Sequence, residues 1–324
     1  MSVMFAAVLS VHGLIHLMGA AKGLGVAAIP LLTQPINRPL GFVWLLAAAL
    51  LVGTAVSLFA WPGRWWVVGA GAVVVSQVLI VTSWADALYG TFANVIVLVG
   101  VALGFVARGP WSLRAEYDRE SSRGRARAVA TPLLTEADLA PLPVVVQRYV
   151  RLSGAVGLPR VQNFRARFHG QIRSGPNAHW MTFTGEQNNV YDQPSRLFLM
   201  DASRFGMPVQ AFHRFVGSTA TMRVKVASAA TVVSAKGPEM DEAETVTLFN
   251  DLCVFAPGVL ITPDVRWHEI DQHNVGASFT NTGRPSALSF RSTTAASSQI
   301  SLRMAAARRL WTENHSPGCD GRLP

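Results

Sequence analysis

The 324-residue sequence predicts a membrane domain of four transmembrane helices followed by an α+β domain with a curved, half-barrel-like antiparallel sheet. Three observations carry this expectation: uncharged apolar runs confined to residues 1–107, a change to two-residue alternation after Val161, and one amphipathic segment interrupting the alternating stretches. They divide the chain into a transmembrane domain (1–107), a charged juxtamembrane linker (108–132), an α+β domain (133–283) and an aberrant, disordered tail (284–324).

Gly41 to Trp61 carries no charge, and as a helix rising about 1.5 Å per residue it reaches about 31 Å, the thickness of a hydrocarbon core. Pro62-Gly63-Arg64 supplies a turn, Trp65 to Trp84 spans again, Ala85 to Gly90 loops around Asp86, and Thr91 to Ala107 is a third run. Trp44, Trp61, Trp65, Trp66 and Trp84 cluster near the ends of these runs, where amphipathic rings favour the headgroup level. Met1 to Ala21 is a fourth apolar run, interrupted by His12 and His16. It lacks a positive n-region and a following small-x-small site, so it reads as a span and not as a cleaved leader. Pro30, Pro35 and Pro39 keep the Lys22 to Leu40 connection from continuing as helix.

Four spans put both ends on one side. Arg108, Arg114, Arg119, Arg123, Arg125 and Arg127 follow the last span, and Arg64 lies in the second connection, against Lys22 and Arg38 on the other side. The excess of cations on cytoplasmic loops therefore predicts a multi-pass inner-membrane protein with a cytoplasmic C-terminal domain. Of the 28 Lys and Arg, three fall in residues 1–107, 19 in residues 108–283 beside 16 acids, and six in the tail. The positive charge is local and does not spread over a recognition face, which argues against nucleic acid. Anionic lipid headgroups are the partner expected for Arg114, Arg119, Arg123, Arg125 and Arg127. Cys253 and Cys319 imply neither a disulfide framework nor a thiolate metal site.

In the α+β domain, Leu133 to Leu152 reads as helix with Thr135 as its cap, ended by Gly154 and Gly157. Phe164, Ala166 and Phe168 then alternate with Arg165, Arg167 and His169, and the same period recurs at Met222 to Val226, Val265 to His268 and Val275 to Phe279. Half-buried antiparallel strands follow from that pattern. Gly170, Gly175-Pro176, Asp192-Gln193-Pro194, Gly217 and Gly237-Pro238 mark the turns. Asp241 is expected to cap a helix from Glu242 to Phe255 with Val246, Phe249, Leu252 and Cys253 on one face. A sheet must curve around a single such helix to bury that stripe.

HGLIHLMG, LTQPINRPLG and SQVLIVTSWADALYGTFANVIVL resemble a bacterial four-helix membrane anchor of uncharacterised proteins. PLPVVVQRYVRLSG, KGPEMDEAETVTLFNDLCVFAPGVL and ASFTNTG resemble the domain of unknown function fused to it, over roughly residues 1–283 together. That domain is similar to the half-barrels of LolA/LolB-like lipoprotein carriers, which implies acyl-chain binding between a bent sheet and helices. Those carriers work outside the cytoplasm, in conflict with the Arg distribution. After Gly283 the resemblance stops: Pro285 to Pro324 loses alternation and becomes rich in Ala, Ser and Arg. The expected cause is a one-base frameshift, because the tail, back-translated with allowed codons and read out of register, can yield an alternating segment; the alternative is a natural disordered tail.

His12 and His16 lie four residues apart and share a face of the first span, where ionisable groups are functional candidates. They read as hydrogen-bonding glue to Gln77 and Asn94, as a proton or quinone site, or as metal or haem ligands. No carboxylate or cysteine lies near them in sequence to complete a metal site. Asp86 reads as a loop ion-pair partner of Lys22 and Arg38, or as the wall of a polar ligand pocket with His16 near its floor. Asn250 and Asp251 read as helix-to-sheet hydrogen-bonding residues or as the polar rim of an apolar groove, while Glu186 and Asp201 read as surface ion-pair partners or an acid/base pair. No nucleophile elbow, phosphate loop, dinucleotide fingerprint or HExxH stretch occurs, so no catalytic residue, metal or cofactor is assigned. The expected function is a membrane-tethered module binding a lipid or other apolar ligand; the alternatives are a redox or proton-handling component using His12 and His16, and a structural or regulatory interaction module.

Overall fold

The computed structural model describes residues 2–125, 131–173, 175–204, 207–271, 274–281 and 284–291, with the backbone alone for Arg125 and 284–291. The chain forms two compact units, residues 1–116 with 227–229 and residues 117–226 with 230–324.

The first unit holds α1 (Ser2–Gly23), α2 (Arg38–Ala60), α3 (Trp65–Thr82), the single turn α4 (Trp84–Ala87) and α5 (Gly90–Arg108). Four of these, α1, α2, α3 and α5, are long and apolar enough to cross a membrane, and they fall where the apolar runs predict. Asn37 starts α2 by accepting the Leu40 N–H at 2.9 Å. The unit is built with small residues inside and large apolar ones outside. Gly13, Ala47, Ala48, Ala72 and Ser76 are buried, whereas Val11, Leu14, Phe42, Val74 and Ile96 are exposed. Where the surroundings are hydrocarbon, burying a leucine against another helix gains little over lipid, so close backbone approach and dispersion hold helices together. Accordingly an added Cβ at Gly23 would lie 2.6 Å from Gly41 Cα, and one at Gly19 only 2.3 Å from the Trp44 ring.

The second unit contains most of α6 (Leu113–Arg125), then α7 (Glu136–Leu139) and α8 (Val144–Leu152). The stretch expected as a polar linker is thus largely helical. From Tyr117 on, its buried side is small but specific: the Tyr117 ring meets Phe212 edge-on at 6.2 Å, Gly124 lies against Val190, and Glu120 takes the Arg214 guanidinium at 2.8 Å. The helix expected over Leu133–Leu152 is two short ones, because Pro141 and Pro143 interrupt it. Thr135 and Asp138 form the capping box of α7.

Strands β1 (Asn163–Ile172), β2 (Met181–Val190), β3 (Ser195–Arg204), β4 (Met207–Val216), β5 (Thr219–Val226) and β6 (Ala230–Lys236) form one antiparallel meander in sequence order. This six-stranded sheet is open and makes no closed barrel. Then comes α9 (Pro238–Phe255), followed by β7 (Val265–Glu269), β8 (Asn274–Asn281) and β9 (Arg284–Arg291), which pair antiparallel as a second sheet. Strand β9 corrects the expectation of a disordered tail from residue 284, since its backbone pairs with β8 from Arg284 opposite Asn281 to Arg291 opposite Asn274. The rest of that tail, including Cys319, lies outside the described residues, as does Arg127.

Helix α9 lies between the two sheets, so it is buried on two sides. Phe249, Leu252 and Cys253 join Val265, Val275, Ala277 and Phe279 of the second sheet and Val146 and Val150 of α8 in one core. The other side faces the six-stranded sheet. The helix also starts earlier than expected: Gly237, at φ 122°, precedes Pro238 in the first turn, and Asp241 is no cap but accepts the Ala220 N–H of β5 at 2.7 Å.

Replacing Gly19 by Val should overpack α1 against Trp44 and destabilise the helical unit by about 1–3 kcal/mol. Gly53→Val, whose Cβ meets nothing within 4 Å, serves as the control. Thermal unfolding of the full chain in detergent reads the difference, and equal midpoints would refute the close approach.

Candidate functional site

Within the helical unit the sequence candidates His12, His16 and Asn94 come together around Ser76, which sequence reasoning missed. His12 Nε2 lies 3.0 Å from Asn94 Oδ1 and 3.3 Å from Ser76 Oγ, and Ser76 Oγ lies 3.0 Å from His16 Nε2 and 2.9 Å from Asn94 Oδ1. The chain of bonds continues from Asn94 Nδ2 to Gln77 Oε1 at 2.9 Å and from Gln77 Nε2 to the Thr91 hydroxyl at 3.3 Å. One serine therefore joins α1, α3 and α5. No group of three or more His, Cys, Asp or Glu that could hold a metal occurs among the described residues.

Asp86 sits elsewhere, taking the Thr33 hydroxyl at 2.6 Å and the Gln34 N–H at 2.8 Å. These bonds, with the Lys22 charge, hold its carboxyl below the usual range. Lys22 in turn donates to the carbonyls of Leu32 and Gln34, so the two charges organise one connection from both sides. His16 and Asp86 share no partner in these contacts.

The second cluster lies where α9 meets the six-stranded sheet. Asp251 Oδ2 accepts from Gln187 Nε2 at 2.6 Å, Asn189 Nδ2 at 2.9 Å and Arg196 Nε at 2.8 Å. Arg196 also reaches Glu244 at 3.1 Å, and Glu244 takes His213 Nδ1 at 3.2 Å. Thus Asp251 ties the helix to β2 and β3, and Glu244 ties it to β3 and β4. Burial outweighs Arg196 and the amides at Asp251 and raises its carboxyl above the ordinary value. At Glu244 burial also acts upward, but His213 and Arg196 together outweigh it and the carboxyl is lowered. Asn250, the other candidate here, is turned from this cluster, and its Oδ1 is buried with no hydrogen-bond partner. Glu186 pairs with Arg165 and Arg167, and Asp201 accepts from Gln210, so the two carboxylates are held by different strand neighbours. Cys253 is sealed in the core, where burial pushes its thiol up to about 12 and leaves no thiolate for chemistry.

The path of α9 follows from these contacts. Asp241 touches β5, Glu244 β4 and β3, Asp251 β3 and β2, and Phe255 stacks at 4.7 Å on Phe164 of β1. From Asp241 to Phe255 a helix advances about 21 Å, and from β5 to β1 the sheet spans about 19 Å. Hence α9 crosses the strands almost at right angles, above the two rows that contain Asn189, Arg196 and Phe215 and, next to them, Gln187, Phe198 and His213.

Beyond those rows the same face of the sheet changes character. The third row reads Phe168, Gly185, Met200, Ala211, Val224 and Val233 across all six strands. The fourth reads Gly170, Phe183, Ala202, Val209, Val226 and Ala230. No polar side chain stands in either row, and the opposite face carries Arg165, Thr184, Glu186, Arg223 and Lys225 at alternating positions. The two rows make an apolar floor about 24 Å wide, with five strand spacings of about 4.8 Å, bordered by the polar residues that hold α9. The individual strands conceal this floor in sequence, since β2 runs Gly185-Glu186-Gln187-Asn188-Asn189 with no alternation at all.

A family of unknown function, DUF6544, has a sequence model that matches residues 132–315, and the chain belongs to that family. The match runs past Gly283, where the sequence reading set a break in the family pattern. No curated protein matches the chain, and no solved structure does.

The two carboxylates should give opposite pH signatures in thermal unfolding of the full chain. The raised carboxyl of Asp251 contributes stability below its unfolded value, near 4, that is lost as pH rises through its folded value, so Asp251→Asn should improve relative to wild type from pH 4 to pH 7. The lowered carboxyl of Glu244 contributes above its unfolded value and loses that contribution on acidification, so the penalty of Glu244→Gln should shrink from pH 7 to pH 4. Parallel pH profiles for the two variants would contradict this assignment.

Proposed function

We propose that this member of the DUF6544 family is a multi-pass membrane protein whose α+β domain holds an apolar ligand, of the acyl-chain class, on the face of the six-stranded sheet beside α9. The observation that carries this reading is the pair of apolar rows, in which twelve consecutive facing positions hold only Gly, Ala, Val, Phe and Met. A sheet face of that composition is stabilised by removal from water, at about 25 cal/mol per Å². His213, partly exposed, borders it on the α9 side and offers its second ring nitrogen to a headgroup or carboxyl. An interaction module would put the same face against a protein, and the ligand test separates the two.

Full-length protein extracted in mild detergent should release acyl species detectable by mass spectrometry. Ala211→Arg and Val224→Arg, in the third row, should lower their amount at least about tenfold, the effect of about 1.4 kcal/mol or more. Wild-type protein free of bound acyl species would sink the reading.

The helical unit supports a second reading, proton handling, on one observation. His16 Nδ1 lies 3.0 Å from the His12 carbonyl and so carries a proton there. With both rings neutral, the Ser76 hydroxyl has a single proton for two acceptors, His16 Nε2 and Asn94 Oδ1. A further proton on His16 Nε2 completes both bonds. Nitrogen NMR of labelled histidine in the reconstituted protein tests this: a ring that stays neutral down to pH 4 contradicts it.

The excess of cations after the last apolar helix supports an inner-membrane location with the C-terminal domain in the cytoplasm, and the same cations, from Arg114 to Arg127, would then face anionic headgroups. Compartment-specific reporters fused after Thr131 and after Asp86 should report opposite sides, the first cytoplasmic.

A further inference from the structure

We propose that the hairpin end of the six-stranded sheet docks on an anionic phospholipid surface. The meander places the β1–β2 and β3–β4 turns at one end and the β2–β3 turn at the other. The two ends differ in charge. From Gly170 to Met181 and from Ala202 to Pro208 there is no Asp or Glu, and Arg173 and Arg204 supply positive charge. The opposite end carries Asp192 in its turn and Glu239 at the start of α9.

The acid-free end also presents apolar side chains to solvent: Trp180 is 56% exposed, Met207 50% and Ile172 38%. Arg173 stacks over the Trp180 ring at 4.6 Å from its centroid while its Nη1 donates to the Pro176 carbonyl at 2.6 Å. Indole and guanidinium are therefore presented side by side. An indole, a guanidinium and aliphatic side chains without carboxylates match the headgroup level of a bilayer, where rings and aliphatic stems sit among acyl carbons and cations meet phosphate. The occupant is a bilayer because the same chain carries four helices long and apolar enough to cross one, which keeps that surface within reach of the domain.

The docking stands without a bound ligand, but the two readings meet in space. Ile172, Met181, Arg204 and Met207 form the row of the sheet next to the apolar floor. A bilayer seated on this end would face the open side of that floor, with Arg204 at the level of a phosphate.

The test uses the full chain in nanodiscs of phosphatidylcholine, with and without phosphatidylglycerol, and follows hydrogen exchange of residues 170–181 and 202–208. Exchange should slow by about threefold or more with the anionic lipid and return to the phosphatidylcholine value in Arg173→Glu with Arg204→Glu, while α9 exchanges as in wild type. Equal exchange in both lipids overturns the proposal, and protection that survives charge reversal overturns it in favour of a protein contact. Trp180 gives a reading that needs no charge variant: the wild-type emission minus that of Trp180→Phe should be quenched by brominated phosphatidylglycerol. An unquenched, water-like difference spectrum overturns the docking as well. Because bound acyl species are measured separately, failure here leaves the ligand reading to its own test.

Discussion

The second unit depends on one oxygen atom and its three donors. Asp251 Oδ2 receives Gln187, Asn189 and Arg196, and without it a guanidinium and two amides would be left in a partly dry interface. Removing one member of such a pair costs about 3–5 kcal/mol, although the intact network gains little over an apolar packing of equal volume. What the network supplies is position. A helix that is buried on two sides can slide or rotate on an apolar surface, whereas carboxylates at 241, 244 and 251 meet donors on β5, β4, β3 and β2 in only one register.

That placement decides what remains open. Because α9 crosses the strands nearly at right angles, it lies over the first two rows of side chains and reaches the third at Phe168 through Phe255; in the next two rows Gly185, Ala202 and Ala211 are buried while Gly170, Ala230 and Val233 are exposed. The core itself is closed, since Phe249, Leu252 and Cys253 are buried against the second sheet and α8. The two rows beyond α9 are thus no unfinished core but a partly exposed apolar face, placed by the crossing angle. A helix aligned with the strands would have covered two or three of them and left a mixed surface in place of a uniform one.

The sequence made the apolar helices legible because charge is absent over whole spans, a signal that survives any uncertainty in register. The Phe249-Leu252-Cys253 stripe was legible for a different reason, its helical spacing between acidic positions. It picked out Asp251 but not its partners, since Gln187 and Asn189 lie in a strand without alternation and Arg196 follows a turn. Helix α6 was hidden by its polar composition: on the side that meets the sheet Tyr117 and Gly124 stand with the polar Glu120 and Ser121, too sparse an apolar stripe to read. Strand β9 was hidden too, because backbone pairing with β8 needs no alternating pattern when Ala and Ser occupy the strand. The start of α9 was misplaced because Asp241 looks like a cap, although its carboxylate is spent on β5.

The helical unit solves its own stability problem in two ways, and the division bears on function. Helices α1 and α2 approach through glycine, at Gly23 and Gly41, and through Gly19 beneath Trp44, which is packing without polar atoms. Helices α1, α3 and α5 instead share the His12, Ser76, His16 and Asn94 network. Inside a bilayer lipid would offer no competing donors or acceptors, so each of these bonds would need its partner within the bundle. A chain of alanine and glycine contacts would have held α3 and α5 equally well, as it holds α2. Two imidazoles, a hydroxyl and a carboxamide joined through one serine thus set this seam apart from the glycine seam: its packing carries polar, ionisable groups where the other carries none.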